Sequence, residues 1–493
     1  MKLARLIACR TSIASLGIAL SLTACAAGAS SGETGSDDGV GAGGDGAGGD
    51  AAGGGAPGFG GFGGFDASSG AGGEGTGGGV TTPEIGPALK IRAVTPSLLV
   101  DTSSSTGARC GAFAPIGAGE RRVVVDFDDC ALDVDGASIA VGIVGSVTVR
   151  STATTDLEVF VGPASAGSGG EPHIVGPLVT TTHGFTTLLD EDRMFAVEVP
   201  GNAAADVAIE LTAVLVPESE DGSYFHLLEQ PLRWYAANPN DDGFRDPWLT
   251  MGTVHRYPVL GDDEGATGMF GAVHLGPGVW RDNPVSFHMG PADAPDVTRW
   301  STAPADSHFP WRYSSLFFVG ASNGEVELRA SSDFEPPTES GIEPWVDAIG
   351  WLSPSSDGGL VYRPLTAPLE ATVVAQNDET FRLTTNLPEA KGVVGSIDFE
   401  LPPFNPPQGY RWFHVMVGAT EDTFPGALGG GLEGPDWMTA GLNQNGRVTV
   451  RFITKTDGAG AFVIRHYAFT SGGATGVFPV PTHVRVDAVL TDP

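Results

Sequence analysis

The residues best suited to chemistry or recognition are unevenly spread along the 493-residue chain. Of nine Trp, seven lie in one stretch: Trp234, Trp248, Trp280, Trp300, Trp311, Trp345 and Trp351. Exposed Trp faces stack on sugar C–H groups, and Trp is prominent in protein-interface hot spots. This stretch therefore points to a glycan or protein partner, with Trp234, Trp248, Trp280, Trp300 and Trp311 as candidate ligand-binding residues. The other use of so many indoles is to fill a larger core. His255, His274 and His288 fall in the same stretch, but their spacing does not set them around one ion with an acid. Acids cluster at Asp126-Phe-Asp128-Asp129, Asp133-Val-Asp135, Asp241-Asp242 and Asp262-Asp263-Glu264. Calcium takes oxygen ligands from such loops, yet none completes the D-x-D-x-D-G…E pattern. Weak calcium binding is the most they suggest, and no cofactor is expected.

Motifs of enzymes are scarce. The chain contains no H-E-x-x-H, C-x-x-C or P-loop, and no Rossmann glycine pattern beside a strand–helix unit. Gly28-Ala-Ser30-Ser-Gly32 matches G-x-S-x-G, but no strand precedes it to form a nucleophile elbow. A carbohydrate-active enzyme would work with paired carboxylates, and no pair is identifiable from spacing. No catalytic residue is therefore named. The leading reading is a non-enzymatic binding protein. A glycan-cleaving enzyme on a β scaffold and a purely structural spacer are the alternatives.

Composition narrows the class further. Lys and Arg number 26 against 59 Asp and Glu, a formal charge of −33. Phosphate backbones repel such a chain, which excludes nucleic acid as a partner. Gly 73 and Pro 36 are far above an average domain's share. Four Cys are too few for a disulfide-dense scaffold, so apolar cores must hold the fold.

The first residues read as a targeting segment. Lys2, Arg5 and Arg10 precede an apolar run from Ile13 to Leu22, too short for a permanent membrane span. Leu22-Thr23-Ala24-Cys25 then resembles the bacterial lipobox. That resemblance implies cleavage before Cys25 and acylation of its sulfur, with two or three chains giving a stable anchor. Ala26 rather than Asp follows, which by the same resemblance favours the outer membrane over retention at the inner one. From Ala26 to Val80 there are 25 Gly and seven acids, and no Lys or Arg lies between Arg10 and Lys90. Such a segment cannot bury enough apolar area to offset its ordering entropy, and reads as a disordered tether. Lipobox and acidic Gly-rich tether together resemble surface lipoproteins of GC-rich Gram-negative bacteria. The use of 22 Arg against 4 Lys agrees with GC-rich coding. The resemblance covers about the first 80 residues.

The remaining chain repeats itself three times. One pattern reads Gly142-Ile-Val-Gly145, Gly268-Met-Phe-Gly271 and Gly392-Val-Val-Gly395. A second ends at Gly162, Gly290 and Gly418. A third is His183-Gly184, Asn323-Gly324 and Asn445-Gly446, each expected to start a strand. A fourth closes each unit: Thr212-Ala-Val-Leu, Asp347-Ala-Ile-Gly and Asp487-Ala-Val-Leu. Period-two alternation over Val207, Ile209, Leu211, Ala213 and Leu215, and over Val448, Val450 and Phe452, marks strands with one buried and one wet face. The expected architecture is all-β: three tandem antiparallel β-sandwich or jelly-roll-like repeats after a disordered Gly-rich linker. Boundaries are placed at 1–24 (signal), 25–84 (lipidated Cys and tether), 85–217, 218–354 (the Trp-rich unit) and 355–493. The second unit spans 34 residues from Gly290 to Gly324 against 22 in the first, suggesting longer loops where binding sites sit. Cys110 and Cys130 are expected to pair in an oxidising compartment. The paired Gly of the first pattern are expected to let a strand pass close under a loop.

Overall fold

A computed structural model describes the chain from Pro83 to Pro493 apart from loop segments, the longest being 236–248, 276–284, 303–312, 332–340, 402–410, 421–435 and 471–479. Before Pro83 only the pair Gly63–Gly64 is described, so the signal segment, Cys25 and the tether lie outside the described residues.

Twenty-four strands carry the architecture, eight per sandwich. The first has β1 (Leu89–Asp101), β2 (Arg121–Asp126), β3 (Gly142–Ser151), β4 (Leu157–Pro163), β5 (Glu171–Val175), β6 (Thr180–Leu188), β7 (Met194–Val199) and β8 (Ala205–Pro217). The second has β9 (Tyr224–Tyr235), β10 (Val254–Pro258), β11 (Gly268–Leu275), β12 (Val285–Pro291), β13 (Thr298–Thr302), β14 (Tyr313–Gly320), β15 (Glu325–Ser331) and β16 (Pro344–Ser353). The third has β17 (Val361–Ala375), β18 (Glu379–Thr384), β19 (Ala390–Leu401), β20 (Arg411–Gly418), β21 (Asp436–Thr439), β22 (Gly446–Lys455), β23 (Ala461–Thr470) and β24 (Val480–Thr491). Two further two-residue strands, Leu249–Thr250 and Gly341–Ile342, pair with each other beside the second.

Each sandwich has the same strand order. An inner sheet runs β1-β8-β3-β6, repeated as β9-β16-β11-β14 and β17-β24-β19-β22. An outer sheet runs β2-β7-β4-β5, repeated as β10-β15-β12-β13 and β18-β23-β20-β21. All these pairings are antiparallel, and two four-stranded sheets of this order make a jelly roll.

The glycines of the first pattern occupy equivalent places. Gly145, Gly271 and Gly395 each sit at a β-bulge opposite the closing strand. A Cβ there would lie less than 3.0 Å from the backbone oxygen of Glu210, Asp347 or Arg485 respectively. The close neighbour is thus a bulged strand rather than a loop. Opposite each glycine on its other side stands a buried Phe: Phe185, Phe317 and Phe452. Gly162, Gly290 and Gly418 are equivalent too, each facing the third residue of the neighbouring strand, Ala196, Glu327 and Val463.

The third pattern is not equivalent. His183-Gly184 lies inside β6, whereas Asn323-Gly324 forms the two-residue turn between β14 and β15 with φ of 53° and 74°. Asn-Gly with both φ positive is hairpin chemistry, not a strand start. Measured between equivalent points, Gly162 to Phe185, Gly290 to Phe317 and Gly418 to Phe452, the chain spans 23, 27 and 34 residues. The longest connection there belongs to the third sandwich.

Bulges also redistribute the apolar faces. Val207, Ile209 and Leu211 enter the first sandwich's own core, but after Thr212 that role passes to Val214 and Val216. Ala213 and Leu215 turn to the opposite face, which is buried as well. Register explains this: an inserted residue moves every following side chain to the other face.

The second buried face is where the sandwiches meet. Opening strands β1, β9 and β17 touch pairwise, and Leu89 of β1 pairs with Tyr362 of β17, so the first and third inner sheets form one eight-stranded sheet. Phe225 of β9 packs edge-on to Phe270 at 5.6 Å and Phe318 at 6.4 Å, with Tyr362 at 6.4 Å. Strands β6, β14 and β22 also meet pairwise. Finally β13 packs on β6, β21 on β14, and β5 on β22. Each sandwich thus lays the same strand on the same strand of the preceding one, and the series closes cyclically on itself. The described residues from Pro83 onward belong to one compact unit.

Cys110 and Cys130 are bonded. The bridge spans 20 residues and encloses β2 and the helix α1 (Phe127–Cys130), whose Asp126 caps it by accepting from Asp128 N. The loop-entropy model assigns such a closure about 3 kcal/mol. Cys110→Ser with Cys130→Ser is expected to lower the urea midpoint accordingly, and an unshifted midpoint in reducing and non-reducing buffer alike would show the bridge to be neutral.

Candidate functional site

Residues separated by up to 316 positions gather where β5 lies on β22. Glu171 and His173 come from β5, His183 and Thr186 from β6, Asp398 from β19, Thr449 and Arg451 from β22, and Arg485 and Asp487 from β24. Alternation puts Thr449 and Arg451 on the face of β22 opposite Val450 and Phe452. That face is not wet as the sequence suggests, because β5 covers it; Arg451 is only 2 % exposed. Its guanidinium Nε lies 2.6 Å from Glu171 Oε1, and its Nη1 donates to Asp487 Oδ2 at 2.6 Å. Arg485 Nε donates to the other Asp487 oxygen at 2.6 Å. Thr186 N donates to Glu171 Oε2 at 3.3 Å, Thr449 Oγ1 donates to Asp398 Oδ1 at 2.5 Å, and Ile174 N donates to Thr449 Oγ1 at 3.2 Å. His173 Nε2 is 3.5 Å from Glu171 Oε1, and the His173 and His183 rings are 5.4 Å apart.

Burial and charge set the protonation states here. Burial raises the Glu171 carboxyl to about 8, against the opposing pull of Arg451. Burial also lowers His173 well below the usual imidazole range, with help from His183 and Arg451, and lowers His183 to about 4. Asp487 goes the other way: burial works to raise it, but Arg451 and Arg485 together hold it below the ordinary carboxylate range. Arg451 stays charged, since Glu171 and Asp487 outweigh its desolvation. The cluster can fix two sandwiches together and can exchange protons. Its depth leaves it little access to a substrate.

A second polar group lies on the outer sheet of the second sandwich. Glu327 is 3 % exposed beneath Arg256 and Arg329, and also accepts from Asp293 N at 3.3 Å. Asp293 itself pairs with Arg256.

The residues singled out by sequence are distributed as follows. Trp234 stands in β9 opposite Val346 and Trp300 in β13 opposite Phe287, while Trp248, Trp280 and Trp311 lie outside the described residues. Trp345 pairs in β16 with Tyr235 and His274. Trp351 packs against the second sandwich's core and stacks on His226 at 5.1 Å. His255 pairs with Leu328 and His288 with the adjacent Arg329, which puts the two on opposite faces of one sheet; His274 belongs to the other sheet. Several candidate calcium acids have cations as neighbours: Asp128 with Arg193 at 2.7 Å, Asp133 with Arg109 at 3.7 Å and Asp135 with Arg92 at 3.6 Å. Asp241, Asp242, Asp262, Asp263 and Glu264 lie outside the described residues. Among the described residues no group of three His, Cys, Asp or Glu is arranged to hold a metal ion. No described helix is long and apolar enough to cross a membrane.

No family model and no curated protein matches the chain. Solved structures that match include an archaeal virus protein described by its triple jelly roll fold and turret assembly, at 7 % identity and TM-score 0.17. That match covers 83 % of this chain and 90 % of the other. Another is the N-terminal CBM22-1–CBM22-2 tandem domain from Paenibacillus barcinonensis Xyn10C, at 11 % identity and TM-score 0.16, covering 56 % of this chain and 99 % of that one. Superpositions that loose carry no functional argument.

Proposed function

We propose that this chain is a non-enzymatic lipoprotein of the outer membrane whose three-sandwich body binds a glycan or an envelope protein. Cys25 carries the acyl anchor, and the Gly-rich segment after it sets the body away from the lipid. The observation that carries this reading is where the chemistry-bearing side chains go. Arg451, Glu171, Asp487, His173 and His183 are spent in joining two sandwiches, and Glu327 is covered by two Arg. Such groups rigidify a body that presents a surface. The Trp-rich middle sandwich is the contact, with Trp234 in β9 and Trp300 in β13.

Two measurements test this. Cys25→Ala should move the chain from the membrane fraction to the soluble fraction, and unchanged fractionation would reject the anchor. Titrating the full chain with outer-membrane polysaccharide, and separately with detergent-solubilised envelope protein, should quench Trp fluorescence in one of the two. A flat response in both would reject the binding role. The full chain is needed because an isolated middle sandwich would expose Phe225, Phe270 and Phe318, which are buried against its neighbours.

A further inference from the structure

The three contacts that close the cyclic arrangement are alike in strands but not in chain connection. The contacts of β13 on β6 and of β21 on β14 join sandwiches that are consecutive in sequence. The contact of β5 on β22 joins the first to the third, with the whole second sandwich between them in sequence. Main-chain pairing at Leu89 and Tyr362 joins the same two sandwiches at their opening strands, while along β5 and β22 side chains carry the closure. It is there that Arg451, Glu171, His173 and His183 meet under near-complete burial. The equivalents of Arg451 at the other seams are Gly184 and Leu316, which carry no charge.

We infer that the seam between β5 and β22 is an acid-released clasp, the closing contact of a ring of three fused sandwiches. Glu171 on β5 and Arg451 on β22 lie by His173, and around that pair stand Asp487 and Arg485 on β24, Asp398 through Thr449, and the Tyr362 hydroxyl of β17. Asp487 is already committed to Arg451 and Arg485. A proton added to His173 therefore sets a desolvated cation beside Arg451, and one added to His183 sets a desolvated cation beside the His173 ring. Opening the seam hydrates the imidazoles and lets them take the proton.

The direction of the pH effect follows from the two kinds of group. Imidazoles neutral in the closed clasp favour closure above the ordinary value of 6.5, and this is lost as pH falls toward 4. Glu171 opposes them, because its raised carboxyl favours closure at low pH and loses that advantage as pH rises toward 8. Two imidazoles act against one carboxyl, and closure weakens as pH falls from 7 to 5.

Hydrogen exchange on the full chain reads this seam by seam. After correction for intrinsic rates, amides of β5 and β22 should lose several-fold protection at pH 5 relative to pH 7. Amides of β13 and β21 should hold theirs. The double variant H173Q/H183Q should abolish that loss, and E171Q should steepen it because the opposing group is gone. The inference is overturned if β5 and β22 follow β13 and β21, if the double variant keeps the loss, or if E171Q leaves the slope unchanged. The wild-type comparison among seams stands even where a variant fails to fold.

Discussion

Gly145→Val, Gly271→Val and Gly395→Val should each destabilise the chain by about 3 kcal/mol or more, at the top of the range for overpacking. The obstacle is backbone. Each added Cβ meets a carbonyl oxygen of the closing strand, and that oxygen sits in a bulge whose register places both buried faces. A flexible side chain could move aside; a bulged strand between two cores cannot. At Gly395 the Phe452 ring also stands 3.1 Å from the added Cβ. Gly117→Ala is the control: nothing lies within 4 Å of a Cβ there, so its change should fall within about 0.5 kcal/mol. Urea unfolding of the four variants is the measurement. Three glycine variants as stable as Gly117→Ala would mean that the bulges do not constrain the fold.

Arg451→Met should cost about 3–5 kcal/mol, the range for removing one partner from a buried ion pair. The loss leaves Asp487 with Arg485 alone and takes from buried Glu171 its ion-pair partner. Glu171→Gln should cost far less, because the carboxyl already favours its neutral form and the amide keeps the acceptor for Thr186 N. This asymmetry separates a clasp from a simple salt bridge, in which both truncations would cost alike. Equal losses in the two variants, or an Arg451→Met midpoint within about 1 kcal/mol of wild type, would contradict the assignment.

Much of the fold was legible because strands and turns leave local signatures. The Gly-x-x-Gly pattern and the glycines at 162, 290 and 418 mark equivalent backbone positions, and at Gly145, Gly271 and Gly395 only a residue without Cβ fits the close approach of two strands. Pro217-Glu-Ser-Glu-Asp221-Gly222 and Pro354-Ser-Ser-Asp357-Gly358 carry turn residues and lie between consecutive sandwiches. Asn323-Gly324 misled because one dipeptide serves a hairpin turn as well as a strand end. The alternation from Val207 to Leu215 misled for a different reason: an unseen bulge at Thr212 exchanges the faces midway.

The clasp was far less visible. Arg447, Thr449 and Arg451 alternate with apolar residues as a solvated strand face would. Only the arrival of β5, from 271 or more positions away, makes that face an interior. The available hint was the mid-strand placement of charge in two neighbours, Arg451 in β22 and Asp487 in the closing strand.

Sequence alone determined the class of the elements, their triplication and the pairing of Cys110 with Cys130, because each depends on short-range patterning or on the few thiols present. Tertiary structure decided that the three sandwiches share a buried centre, which strand rests on which, and that Arg451 lies in the interior. Burial of a strand's second face is a property of what packs on it, and no period within the strand records the identity of that partner.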